Sequence, residues 1–156
     1  LTTSKLVLIT NATLLDRVAT RRGLAMLDAN GGEVWAKLDA GTEAYFQQVD
    51  RPKGGLTLDR IVHGIRAAGR RRPIVVQTMV LAMAGQPMTD AEFAAYLDRL
   101  SWLNDEGATL AGVQLYTVAR KPAEADVGPL DRAHMDRLAQ AVRQRLPGIE
   151  CSAYYG

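Results

Sequence analysis

Cysteine is nearly missing from this chain. Cys151 is the single thiol in 156 residues. No internal disulfide can form, and thiolates of this chain alone cannot build a zinc or iron–sulfur centre, because such centres need several. His63 and His134 are the two histidines, too few for an ordinary zinc site. No run approaches the roughly 18 apolar residues of a membrane span. Leu1 to Asp16 lacks a basic segment followed by a cleavage site, so no secretion signal is expected and the cytoplasm is the default location. Charge of one sign is scarce too: 19 basic against 17 acidic residues leave +2, too small an excess to indicate nucleic acid. The phosphate-loop patterns G-x-G-x-x-G and G-x-x-x-x-G-K-[ST] do not occur, nor does a nucleophile elbow or H-E-x-x-H. Gly31-Gly32 and Gly54-Gly55 read as turn glycines.

What is present is a globular composition, 47% apolar and 23% charged, which excludes a disordered tail. The hydrophobic pattern alternates between two periods. Lys5–Thr10, Glu33–Asp39, Pro73–Ala82, Leu110–Val118 and Ile149–Tyr155 are short apolar runs and read as strands. Between them lie helical patterns at Asp16–Leu27, Thr42–Val49, Thr57–Arg70, Thr89–Glu106 and Asp131–Leu146. Thr89 and Glu92 form a capping-box pattern. Leu58, Ile61, Val62 and Ile65 mark one helix face. Regular β-α alternation implies a single α/β domain, residues 1–156, with parallel strands and right-handed crossovers. Alternation alone fits either a doubly wound sheet or a section of a barrel.

Polar residues interrupt the strands in one place. Residues two apart on a strand share a face, so Lys37 and Asp39 lie together, as do Gln114 and Tyr116. Gln77 breaks the third run, and Thr10 and Asn11 end the first. Any one of these could be a satisfied structural group. Four strands placing polar groups toward their carboxyl ends, where α/β folds bind ligands, point to one shared site of Asn11, Lys37, Asp39, Gln77, Gln114 and Tyr116. The Arg70-Arg71-Arg72 run suits a helix C-terminus. Cys151 reads as a small hydrophobe.

Three segments carry a resemblance. LITNATLL (Leu8 to Leu15), AKLDAGTEAYFQQVDRP (Ala36 to Pro52) and VQLYTVARKPAE (Val113 to Glu124) resemble the third-, fourth- and sixth-strand segments of radical S-adenosylmethionine enzymes. The similarity extends from Lys5 to Gly156. The subgroup most similar is that of the wyosine-base-forming and activating-enzyme-like iron–sulfur oxidoreductases. The resemblance implies the C-terminal portion of a six-stranded partial (β/α) barrel with parallel strands. The whole barrel would hold a [4Fe–4S] cluster and S-adenosylmethionine and would abstract hydrogen from a substrate. It assigns Thr10 and Asn11 to the cofactor's methionine end, and Lys37 and Asp39 to its ribose or carboxylate. Gln77 falls at mid-cavity, and the backbone near Gln114, Tyr116 and Thr117 beside the adenine. The subgroup also implies a tRNA-directed role, for which the Arg66–Arg72 cluster is the local support.

The departures are as informative. The C-x-x-x-C-x-x-C cluster motif and the Gly-Gly-Glu-Pro type motif are absent. Ala12 stands at the glycine of the TNG segment and Asp50 at the asparagine of NRP. The chain starts with Leu1 rather than Met, and the expectation is that it begins after the barrel's second strand. The N-terminal, cluster-binding half would then be its partner. Alone it is expected to be catalytically inert, with no catalytic or metal-ligating residue of its own. The reading from another class is a non-catalytic α/β binding or scaffold module derived from the same barrel. The substrate is not legible.

Overall fold

The computed structural model describes residues 4–120, 122 and 124–156. Lys121 and Ala123, inside the segment that resembles the sixth strand, lie outside the described residues. In chain order the elements begin β1 (Val7–Thr10), α1 (Val18–Ala29), β2 (Glu33–Lys37), α2 (Glu43–Val49), α3 (Leu58–Gly69) and β3 (Ile74–Met79). They continue with β4 (Ala82–Met83), β5 (Gln86–Pro87), α4 (Asp90–Asp105), β6 (Leu110–Tyr116), β7 (Val127–Gly128), α5 (Arg132–Arg145) and β8 (Cys151–Tyr154).

The main sheet has five parallel strands in the order β1-β2-β3-β6-β8. Spatial order follows chain order and never reverses. Right-handed crossovers between successive neighbours put their helices on one face, so the switch point of a doubly wound sheet does not arise. Burial agrees. Val34, Ala36, Ile74, Val76, Val113 and Leu115 are buried on the helix-covered face, whereas Trp35, Lys37, Val75, Gln77, Gln114 and Tyr116 on the other are half-open. The section-of-barrel alternative is therefore the observed one.

Local chemistry explains the helix starts. Thr42, Thr57, Thr89 and Asp131 each accept a hydrogen bond from the backbone N–H three residues on, which satisfies a donor the helix cannot. α1 has no such cap and begins at Val18 rather than near Asp16. The capping box at α4 is half formed. Thr89 caps Glu92 N at 3.1 Å, but the buried Glu92 carboxylate turns away. It accepts instead from Thr42 N at 3.1 Å and Thr42 Oγ1 at 2.6 Å, and from Gly41 N. This tie holds the loop after β2 against α4, and Gly41 is what lets the two backbones meet. A Cβ there would stand 2.1 Å from Tyr96 N.

The core lies between the sheet and α3, α4 and α5. Ile65, Leu100, Leu103, Met135 and Val142 are sealed from solvent. The third strand ends at Met79, short of the expected Ala82. Ala82–Met83 pairs instead antiparallel with Gln86–Pro87 and Val127–Gly128. Two-residue strands leave no periodic signal, so this small ribbon is invisible in the sequence.

Candidate functional site

Strand register builds the site. Lys37 lies opposite Gln77, Gln77 opposite Gln114, and Gln114 opposite Ser152. Directly paired residues of parallel strands share a face, so four polar side chains form one row across the open side of the sheet. Gln77 Nε2 donates to Gln114 Oε1 at 3.3 Å. One step toward the carboxyl ends, Met79, Tyr116 and Tyr154 make the next row. A hollow of about 430 Å³ lies on the amino-terminal half of this face, over Trp35, Val75, Gln114, Ser152 and Tyr154. Lys37 and Gln77 stand above it, toward the strand ends.

Lys37 is the charged centre. Its ammonium donates to Tyr116 Oη and pairs with Asp39 Oδ2 at 3.1 Å. An ammonium has three N–H donors, so one is left for the open side. Burial opposes the charge on Lys37, but the Asp39 carboxylate and Tyr116 outweigh it and hold its pKa above the ordinary lysine value. Asp39 is 4% exposed. Its other oxygen, Oδ1, accepts from Met79 N at 2.7 Å. Burial raises its pKa, against the pull of Lys37 and Met79 N–H. Asp50, at the end of α2, lies near enough to Asp39 for the two carboxyl groups to interact. Partial burial first, and the neighbouring carboxylate second, push Asp50 up to about 6, although its outer side stays exposed. Two carboxyl groups at close range resist double ionisation.

The residues expected from sequence divide three ways. Lys37, Gln77, Gln114 and Tyr116 come together on the open face. Asp39 is beside them but sealed, one oxygen paired with Lys37 and the other accepting from Met79 N. Thr10 and Asn11 stand apart. Thr10 is in register with the buried Ala36, on the helix-covered side, and its hydroxyl accepts from Ala12 N at 3.1 Å. Asn11 Oδ1 accepts from Thr13 N at 3.3 Å and Thr13 Oγ1 at 2.9 Å, an Asx-type turn. Between them Ala12 has φ 64. That is the left-handed region glycine prefers, a physical reason for the glycine of the TNG segment.

Sequence reasoning missed Ser152 and the approach of Asp50 to Asp39. Ser152 could have been reached by carrying the row one strand further. Asp50 follows a helix, and no period shows where it folds back. The Arg66–Arg72 cluster sits at the other end of the sheet, where α3 returns to the start of β3. Arg66 pairs with Glu106 at 3.0 Å and Arg72 with Asp28 at 3.2 Å, so both are engaged in the fold. Cys151 belongs to the core, and burial pushes its thiol up to about 11. Among the described residues no group of three or more His, Cys, Asp or Glu side chains is placed to hold a metal.

A singly wound parallel sheet, helices on one side and a polar open face on the other, defines an α/β barrel section, and it is the fold of radical SAM domains. Over 96% of its length the chain superposes on a radical SAM methyltransferase from Sphaerobacter thermophilus, with TM-score 0.65 and 17% identity, spanning 40% of that chain. Over 97% it superposes on a domain of pyruvate-formate lyase-activating enzyme from Bacteroides vulgatus, with TM-score 0.64 and 14% identity, spanning 81% of that chain. Identities this low establish the fold. In sequence the chain is similar to UPF0026 protein slr1464 of Synechocystis sp., 35% identical over 102 residues, which is 64% of this chain and 36% of that protein. The chain therefore spans about a third of the curated relative. No family model matches. The fold that the three segments led one to expect is the fold observed. Among the described residues no helix is long and apolar enough to cross a membrane.

Proposed function

We propose that this chain is the carboxyl-terminal part of a radical S-adenosylmethionine oxidoreductase, its open face turned to the cofactor. The observation that carries the reading is the in-register row of Lys37, Gln77, Gln114 and Ser152. The donor set fits S-adenosylmethionine. The third N–H of Lys37 suits a carboxylate, and the paired amides suit hydroxyl and ring-nitrogen groups. The set does not fit an iron–sulfur cluster, because Cys151 is buried in the core and its thiol is held protonated. The thiolates for a [4Fe–4S] cluster would come from outside these 156 residues. With S-adenosylmethionine bound beside such a cluster, the chemistry supplied would be radical hydrogen abstraction from a substrate. The residues of this chain bind and orient: Asp39 and Tyr116 fix Lys37, and Gln77 fixes Gln114.

The edge of β1 supports a sheet that continues. Leu8 and Ile9 are 40% and 55% exposed on a strand that has no neighbour on its outer side among the described residues. Such an edge accepts further strands, and a cluster-bearing half of the barrel suits it.

The test is a two-dimensional ¹H–¹⁵N NMR titration of this chain with S-adenosylmethionine. Shifts are expected at Lys37, Gln77 to Met79 and Gln114 to Tyr116. Lys37→Met and Gln77→Leu should each weaken binding about tenfold, one charge-assisted or amide hydrogen bond's worth. No shifts along this row at millimolar cofactor, together with an upstream reading frame that lacks a three-cysteine motif, would reject the reading and favour the scaffold module.

A further inference from the structure

A second cleft, of about 500 Å³, opens at the carboxyl rim of the sheet. Two connections build it: the loop after β1, and the segment between α2 and α3, where Arg51, Gly54 and Gly55 all take positive φ. The first turn of α3 closes it. Its floor is apolar, with Phe46 and Ile61 buried and Leu14 left 53% exposed.

Its rim is basic. Arg17, Arg51, Lys53 and Arg60 line it, against one acid, Asp50. Arg51 is taken up by a two-pronged pair with Glu124. Arg17, Lys53 and Arg60 make no ion pair among the described residues. The backbone start of α3 is already occupied: Leu58 N donates to Glu43 Oε2 at 2.7 Å and Arg60 N to Thr57 Oγ1 at 3.3 Å. Attraction for an anion therefore rests on the three side chains.

Three uncompensated cations around an apolar floor select an anion with a flat, apolar body. The volume is that of a small-molecule site. We propose that this cleft binds a nucleotide, its phosphate held by Arg17, Lys53 and Arg60 and its base set on Leu14 and the floor beneath. The nucleotide is either free or part of an RNA strand. The small net charge of the chain does not oppose this, because binding follows the local cluster of charge. The cleft meets the Lys37 cluster at one residue, Asp50, and its three cations do not depend on the cofactor reading.

The experiment uses this chain with adenosine monophosphate, adenosine and a ten-nucleotide single-stranded RNA, followed by NMR shifts and affinity. The monophosphate should perturb Asn11 to Leu14 and Lys53 to Leu56 and bind about tenfold tighter than adenosine, the worth of one or two charge-assisted phosphate contacts. Arg60→Glu and Lys53→Glu should each remove about that factor, and Arg70→Glu, on the far end of the sheet, should change nothing. Arg60→Glu is expected to fold, because a glutamate three residues after the Thr57 cap completes a capping box. RNA binding tighter than the monophosphate, with a steep salt dependence, supports the site and names RNA as the source. Equal affinities support it and name the free nucleotide. Adenosine binding as well as its monophosphate, or Arg60→Glu and Lys53→Glu without effect, overturns it.

Discussion

Replacing Asp50 by asparagine separates the electrostatics of the carboxyl cluster from its shape. The Asp50 carboxyl is raised from 3.8 to about 6, by partial burial and by Asp39. A carboxyl raised on folding binds its proton more tightly in the native state. Its ionised form therefore lowers stability above pH 6, and the loss fades as pH falls through 6 toward 3.8. At about 1.4 kcal/mol per pH unit the whole shift would amount to about 3 kcal/mol. Asp50 keeps solvent on its outer side, and water screens such interactions, so a cost of about 1 kcal/mol is the working figure. Asp50→Asn is neutral throughout and keeps the shape of the side chain. It should be about 1 kcal/mol more stable than the parent at pH 8, or 2–4 °C in Tm for a domain of this size. The advantage should vanish near pH 4. Urea unfolding at pH 8, 6 and 4 measures it. A variant no more stable at pH 8, or an advantage that is the same at every pH, would refute the placing of Asp50 against Asp39.

Three further outcomes follow from the same contacts. Lys37→Met should cost about 3 kcal/mol, because it leaves the buried Asp39 charge without its partner, and adding Asp39→Asn should restore most of the loss, a coupling that a double-mutant cycle in urea reads directly. Gly41→Ala should cost more than about 3 kcal/mol, since its Cβ meets backbone at Tyr96 and neither chain can yield; thermal unfolding checks it, and Gly54→Ala, facing open space at a positive φ, should cost only about 1 kcal/mol. Cys151 should resist alkylation by iodoacetamide at pH 8 in the native state and react at once in urea, because its thiol is both buried and held protonated.

Much of the fold was legible because its signals are local. Threonine and aspartate caps mark helix starts wherever they fall, and five apolar runs could be read without knowing their neighbours. Glu92 shows the limit. Its spacing from Thr89 reads as a capping box, yet its carboxylate serves a loop fifty residues away, because Gly41 brings a richer set of donors within reach. The candidate site was legible in the same partial way. Period-two alternation aligned Lys37 with Asp39 and Gln114 with Tyr116. It could not show that Asp39 is sealed, since burial depends on what packs over a residue. It could not show that Thr10 turns to the helix side, since its facing is set by register with Ala36.

The sequence by itself determined the element types, their alternation, the parallel strands and the near absence of thiolate ligands, all of which follow from composition and nearest-neighbour chemistry. Only the tertiary structure decided that the sheet winds one way, which of the polar residues meet, that Asp50 returns to Asp39, and that three arginine and lysine side chains from separate segments rim one cleft. Those facts depend on register and on chain reversal between distant residues, and neither is written in any local period.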